Sequence, residues 1–334
     1  MIRILALSFL VFHHAGDPME REVYLMGTIL KIASYTETRE RGIREMEAAV
    51  RVIEQTEMEL STWLPDSEFS RLNAHPVGTP FSLSPSTCIL MQKLDRWVKA
   101  TVGAFDPSVG RLIRVWGIQG EMRIPDPEEI QAALAETGFD HLRLDAKKCT
   151  ATKNEGVLLD AGGFGKGEAL DRVLSLAERE NFAPMVLNFG GQVAVWQMPS
   201  TVEIANPSVR RLRSGNVLKI SYGSLSTSGQ SEYRKKIRGK ETGHILNPHS
   251  GLPSPDFGSV TVWNSSALDA DILSTALYVM GPQKGFTWAT ATGIKACFLE
   301  KNSVLYCNYE IDNRFHNHSN SNSFAPFPLR QLGQ

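Results

Sequence analysis

The stretch VLLDAGGFGKGEALDRV, Val157 to Val173, joins an apolar run to a carboxylate at Asp160, four glycines around a lone Lys166, and a helical pattern. Glycines between a strand and a helix N-terminus usually let backbone N–H groups approach an anion. The named phosphate loops do not match. A Walker-type loop needs Ser or Thr after its lysine, and Lys166 is followed by Gly167. A dinucleotide fingerprint starting at Gly163 needs a glycine where Glu168 stands. What remains is a generic anion nest, with Asp160 at the strand end and Lys166 at the helix start. A tight structural turn accounts for the same letters equally well.

Two further stretches carry residue types that do chemistry. In GHILNPHSGLP, Gly243 to Pro253, His244 sits in a predicted short apolar strand ahead of a Pro/Ser/Gly turn. A lone histidine is more often a structural donor than a catalyst, although its ordinary pKa suits proton transfer near neutrality. In ALDADILSTALYVMG, Asp271 and Thr275 stand four apart on a predicted helix. Both oxygens then face one side and can share one hard cation, a spacing that chance also produces.

The elements that must position these groups follow from periodicity and punctuation. A strand is predicted from about Val23 to Ser34, and apolar residues at three- and four-residue steps predict a helix from Thr38 to Leu60. STWLPDSEFSRLNAHPVG breaks that period and reads as a loop with a short helical turn. Helices are expected over Pro85 to Ala100 and after the N-cap Asp126, with Pro127 at its first position. The glycine stretch supplies a strand and a helix to about Asn181; short β segments follow, then a helix from about Leu268 to Met280 and two closing strands. Strands and helices mix without strict βαβ alternation, which predicts an α+β fold, a largely antiparallel sheet core with flanking helices.

Composition bounds the rest. The chain has 334 residues, 42% hydrophobic and 21% charged, and a net charge of −1, which offers no basic footprint for nucleic acid. Its four cysteines, Cys88, Cys149, Cys297 and Cys307, show no zinc spacing and read as four free, mostly buried thiols. Residues 1–20 read as a truncated signal peptide or N-terminal extension, because the apolar run Ile4 to Phe12 is too short to span a bilayer. Residues 21–312 read as a single domain and the Asn/Ser-rich residues 313–334 as a disordered tail.

Together these stretches resemble the FAD:protein FMN transferase family, the ApbE-like flavin transferases. The matches run in order: YLMGT, STWLPDSEFSRLN, GAFDPSVGRLIRVWG, LDAGGFGKGEALD, NFGG, STSG, GHILNPHSGLP and DADILSTALYVMG. The resemblance implies an ApbE-like fold with the nucleotide site in a cleft between two subdomains. It implies a Mg2+-dependent enzyme that cleaves FAD, attaches FMN through a phosphoester bond to a Thr of a target protein, and releases AMP. A Mg2+-dependent FAD pyrophosphatase and a non-catalytic FAD-binding protein are the alternatives. By similarity Asp271, Thr275 and the Gly163 carbonyl hold Mg2+, and His244 and Asp271 are catalytic, His244 as the base for the Thr hydroxyl. Met26, Trp63, Ala104, Phe105, Asp106, Asp160, Lys166, His244 and Ile245 line the FAD site, with Thr227 or Ser228 contacting the nucleotide. The implied partner is a flavin-acceptor protein, a subunit of a redox complex or an extracytoplasmic electron carrier. The implied location is the periplasm or cell envelope, or the cytoplasm if the N-terminal run is not a signal. Four positions depart from the common pattern: Phe164, Gly165, Asn247 and Ser250.

Overall fold

The computed structural model describes residues 10–11, 17–205, 213–232, 235–237 and 239–309. The expected tail lies outside these residues, and so does most of the N-terminal apolar run; its Leu10–Val11 pairs with the strand Ser200–Ala205. Eight α-helices occur among the described residues: α1 (Arg39–Leu60), α2 (Glu68–Ala74), α3 (Pro85–Ala100), α4 (Gly110–Val115), α5 (Pro127–Ala135), α6 (Gly165–Arg179), α7 (Ala267–Met280) and α8 (Pro282–Thr292). No described helix is long and apolar enough to cross a membrane.

The main sheet has eight strands in the order Leu305–Cys307, Lys295–Glu300, Gly258–Asn264, Gly223–Gly229, Gln192–Trp196, Met185–Phe189, Thr28–Ser34 and Met19–Leu25. Every neighbouring pair is antiparallel, as the lack of βαβ alternation predicts. The single strand expected over Val23 to Ser34 is instead a hairpin. Met26 and Gly27 both have positive φ, 46° and 73°, which is the condition for a two-residue turn that matches strand twist.

On one face of this sheet α1 and α6 share a core with the strands: Met46, Ala49, Val50 and Ile53 meet Leu170, Val173 and Ala177. α7 is apolar nearly all round and lies centrally. Its Leu273 and Leu277 pack with Val260 and Val262 of the sheet. Its Leu268, Ile272 and Ala276 pack into a second module containing α2, α3 and a small sheet of Pro80–Ser82, Thr150–Lys153 and Leu142–Asp145. Each such aliphatic side chain contributes about 1.5–3 kcal/mol by leaving water, so α7 is held from both sides. Its N-terminus is further fixed by Asp171 of α6, whose carboxylate accepts from Ser266 Oγ at 2.5 Å, Leu268 N at 3.2 Å and Ala267 N.

Four other expectations change. STWLPDSEFSRLNAHPVG contains all of α2, capped by Ser67 Oγ accepting from Ser70 N at 3.0 Å. Val157–Leu159 forms no strand; it is a buried extended segment with one parallel bridge, Leu158 to Val109. The His244 segment likewise has only the bridge Leu246 to Pro253. The cysteines are not free: Cys88 is bonded to Cys149 and Cys297 to Cys307, with Cα–Cα distances of 5.4 and 4.1 Å. Sequence separations of 61 and 10 say nothing about that proximity, which comes from α3 docking on the small sheet and from strand register.

Candidate active site

Amides of the glycine stretch approach two protein carboxylates. Asp271, 4% exposed on α7, accepts from Gly167 N at 3.0 Å through Oδ2 and from Ser226 Oγ at 3.0 Å through Oδ1. Further amides of the stretch also bond within the protein. Gly162 N donates to Asp160 Oδ1 at 2.8 Å, and Gly165 N to Ala161 O at 2.8 Å. The glycines serve close approach as well: a Cβ on Gly167 would lie 2.5 Å from Ala267 O and 2.7 Å from Asp271 Cβ. At Gly163 space does not require glycine, since a Cβ there would meet Phe105 and Thr275 at an ordinary 3.5 Å.

Thr275 lies one turn beyond Asp271, beside Gly163. Ser228 Oγ is 3.3 Å from Thr275 Oγ1 and 2.8 Å from Ser274 Oγ, and Ser274 Oγ donates to Ser226 Oγ at 3.2 Å. Side chains alternate along a strand, so Ser226 and Ser228 face α7 while Thr227 points to the other side and pairs with Thr261 Oγ1 at 2.9 Å. Of the two expected nucleotide contacts, only Ser228 is at the site. Ser226, from the same STSG stretch, joins it, and so does Ser274, which the helical pattern alone does not single out.

Asp160 is buried at the loop's other end. Its Oδ2 accepts from Gln119 Nε2 at 2.7 Å and Thr62 Oγ1 at 3.2 Å. Burial raises its pKa, opposed by hydrogen bonds from Gly162, Thr62 and Gln119 and by the charge of Lys166. A 250 Å³ cavity opens here, lined by Thr62, Asn73, Arg114, Gln119 and Asp160 among others. That is below the usual range for a whole ligand of drug size. Lys166, in the first turn of α6, acts by charge on both Asp160 and His244. Burial first, and then Lys166, lower the His244 pKa to about 4, which keeps the imidazole neutral near pH 7.

The remaining expected residues divide. Trp63 is 67% exposed beside Thr62, an open ring face. Met26 sits in the hairpin turn, its N donating to Glu57 Oε1 at 3.1 Å and its Cε against Gly165. Phe105 is a core residue, 3% exposed and edge-on to Phe164 at 6.2 Å; it props the glycine loop and presents no face to stack on. Ala104 is buried beside it. The Asp106 carboxylate accepts from Ser108 N, Ser108 Oγ and Phe139 N at 2.8, 2.5 and 3.1 Å, an internal loop clasp. The Ile245 side chain belongs to the core beside α7.

The local departures have local reasons. Phe164 fills the space between Phe69 and Phe105. Gly165 leaves room for Met26, whose Cε would be 3.2 Å from a Cβ there. Asn247 Oδ1 accepts from His249 N at 2.9 Å, a turn bond needing an acceptor and no charge. Ser250 is exposed, and its Oγ accepts from Leu252 N at 3.3 Å.

Loop, strand and helix thus meet around Asp271. A sequence model of the ApbE family matches residues 26–298. The chain belongs to the ApbE family. Among its relatives, the FAD:protein FMN transferase of Vibrio cholerae is 29% identical over 286 residues, 83% of this chain and 82% of the relative. That of Klebsiella pneumoniae is 30% identical over 261 residues, 73% and 75% of the two chains. The solved ApbE structure from Thermotoga maritima superposes with a TM-score of 0.81 at 26% identity, covering 87% of this chain and 96% of that one. The flavinyl transferase ApbE of Pseudomonas stutzeri gives 0.76 at 26% identity, covering 88% and 96%. The α+β antiparallel architecture of this chain is therefore the ApbE fold.

Proposed function

We propose that this ApbE-family chain transfers FMN from FAD to a threonine hydroxyl of an acceptor protein and releases AMP. The observation that carries it is the meeting at Asp271 of α6, the STSG strand and α7. The Asp271 carboxylate, the Thr275 hydroxyl and the Gly163 carbonyl would hold Mg2+, an all-oxygen donor set with a single charge that suits the ion completed by water and phosphate. Among the described residues no group of three His, Cys, Asp or Glu competes for a softer metal. When bound, Mg2+ would neutralise pyrophosphate charge.

This chain's own residues supply positioning and proton transfer. Lys166 faces the pyrophosphate, and Trp63 offers its open face to a ring of the dinucleotide. The threonine oxygen attacks the phosphorus on the FMN side, the bond from that phosphorus to the AMP oxygen breaks, and the hydroxyl proton passes to neutral His244. Burial is the larger cause of the depressed His244 pKa; negative charge arriving beside Lys166 offsets the smaller, repulsive part, so the ring gains some proton affinity when substrate is in place. Two disulfides together with the N-terminal apolar run support an exported protein working in an oxidising compartment on an envelope redox protein.

The test is incubation with FAD, Mg2+ and a threonine-bearing flavin-acceptor domain. In-gel flavin fluorescence on the acceptor is expected, lost in Asp271→Ala and reduced about 10²–10⁴-fold in His244→Ala. Free FMN without label means a pyrophosphatase; neither product means an FAD-binding protein and refutes the proposal.

A further inference from the structure

His244 lies in a segment with no sheet ladder to hold it. One buried side chain, 14 residues upstream, helps to fix the backbone beside it. Gln230, 1% exposed, accepts from Ile245 N at 3.0 Å through Oε1, and its Nε2 donates to Ile245 O and Ser254 O, both at 3.0 Å. Both peptide groups of Ile245 are thus bonded to one amide, and Ser254 N adds a bond to the same carbonyl at 2.9 Å. On the other side of His244, a Cβ on Gly243 would fall inside the Gln230 amide, so glycine is required there by space and not by backbone angle. Gln230 is itself close to the helix that carries Asp271 and Thr275: its backbone acts on the phenol of Tyr278, seven residues along α7 from Asp271. Gln230 also directly follows the STSG strand that supplies Ser226 and Ser228.

We infer that Gln230 is a positioning residue for the reaction: it sets the place of the His244 imidazole relative to α7 by clamping Gly243 and Ile245. The inference rests on the proposed role of His244. A displacement of about 1 Å in a reacting group is enough to cost roughly 10²-fold in rate, so a clamp of this kind acts on turnover without touching substrate.

Gln230→Met keeps the length and removes all three hydrogen bonds. Gln230→Glu keeps the acceptor for Ile245 N and loses the amide donor. In either variant kcat is expected to fall about 10- to 100-fold, with KM for FAD within about threefold of wild type. In a His244→Ala background the same substitutions are expected to leave the residual rate unchanged, because the two residues act as one unit. Histidine-selective NMR gives a readout independent of turnover: the His244 ring resonance moves, while those of His75 and His141 in the other module stay. An unmoved His244 resonance in a folded variant, or an equal loss of kcat with and without His244, overturns the inference. If neither Gln230 variant folds, Gly243→Ala, which displaces the amide from the opposite side, carries the same measurements. Should His244→Ala turn over at the wild-type rate, the base assignment fails, and the ring resonance still decides whether Gln230 places the ring.

Discussion

Replacing Gly167 by alanine strikes the arrangement at its tightest point. The new Cβ would lie 2.5 Å from Ala267 O, 2.7 Å from Asp271 Cβ and 2.8 Å from Leu268 Cα. None of these atoms is the end of a flexible side chain, so rotamer changes cannot relieve the overlap. Ordinary contact begins near 3.4 Å, so α6 and α7 must part by roughly 0.6–0.9 Å, an overpacking that typically costs about 1–3 kcal/mol. For a chain of this size that is a Tm drop of roughly 2–10 °C. The same shift stretches the 3.0 Å bond from Gly167 N to Asp271 Oδ2 and carries Asp271 and Thr275 away from the glycine loop. A misplacement of that size costs about 10²-fold in turnover. Gly163→Ala is the control, because its Cβ meets only ordinary contacts at 3.5–3.6 Å and its carbonyl is retained; stability within about 0.5 kcal/mol is expected. Differential scanning fluorimetry, Mg2+ titration calorimetry and FAD turnover on both variants decide the matter. Wild-type Tm and kcat in Gly167→Ala, or equal damage from Gly163→Ala, would refute the reasoning.

Other consequences follow from burial, exposure and covalent pairing. His244 is held down to about 4 against an ordinary 6.5. The unfolded chain therefore binds a proton that the folded one refuses, and stability complete above pH 6.5 declines toward pH 4, by up to about 3 kcal/mol. Tm measured from pH 7 to 4 should fall less steeply in His244→Ala, and parallel profiles would contradict this. Thiol titration of the denatured, unreduced protein should find none of the four cysteines free. Reduction should lower stability by about 4 kcal/mol for the 61-residue separation and about 3 kcal/mol for the 10-residue one, on the loop-entropy account; an unchanged Tm in reductant would argue against the bridges. FAD should quench Trp63 fluorescence, and Trp63→Ala should weaken FAD binding roughly 2- to 10-fold, with equal affinity by equilibrium titration the contrary result.

The sequence by itself determined which residues could carry the chemistry and the class of fold. Asp271 and Thr275 share a helix face because helical period places them there, and α3 and α5 begin at their prolines because capping is local. Ordered motifs over most of the chain named the family. What only the tertiary structure decided was which groups meet. Thr227 and Ser228 are adjacent letters, yet strand alternation sends one to α7 and the other to the opposite face, and the phase of that alternation depends on which neighbours the strand acquires. Phe105 reads as a ring of the nucleotide pocket until Phe164 packs against it and buries it. The cysteine pairing, the Gly167–Asp271 bond and the Gln230 clamp join positions separated by up to 104 residues. Contacts across such distances follow from how layers dock, and local pattern carries no record of that docking.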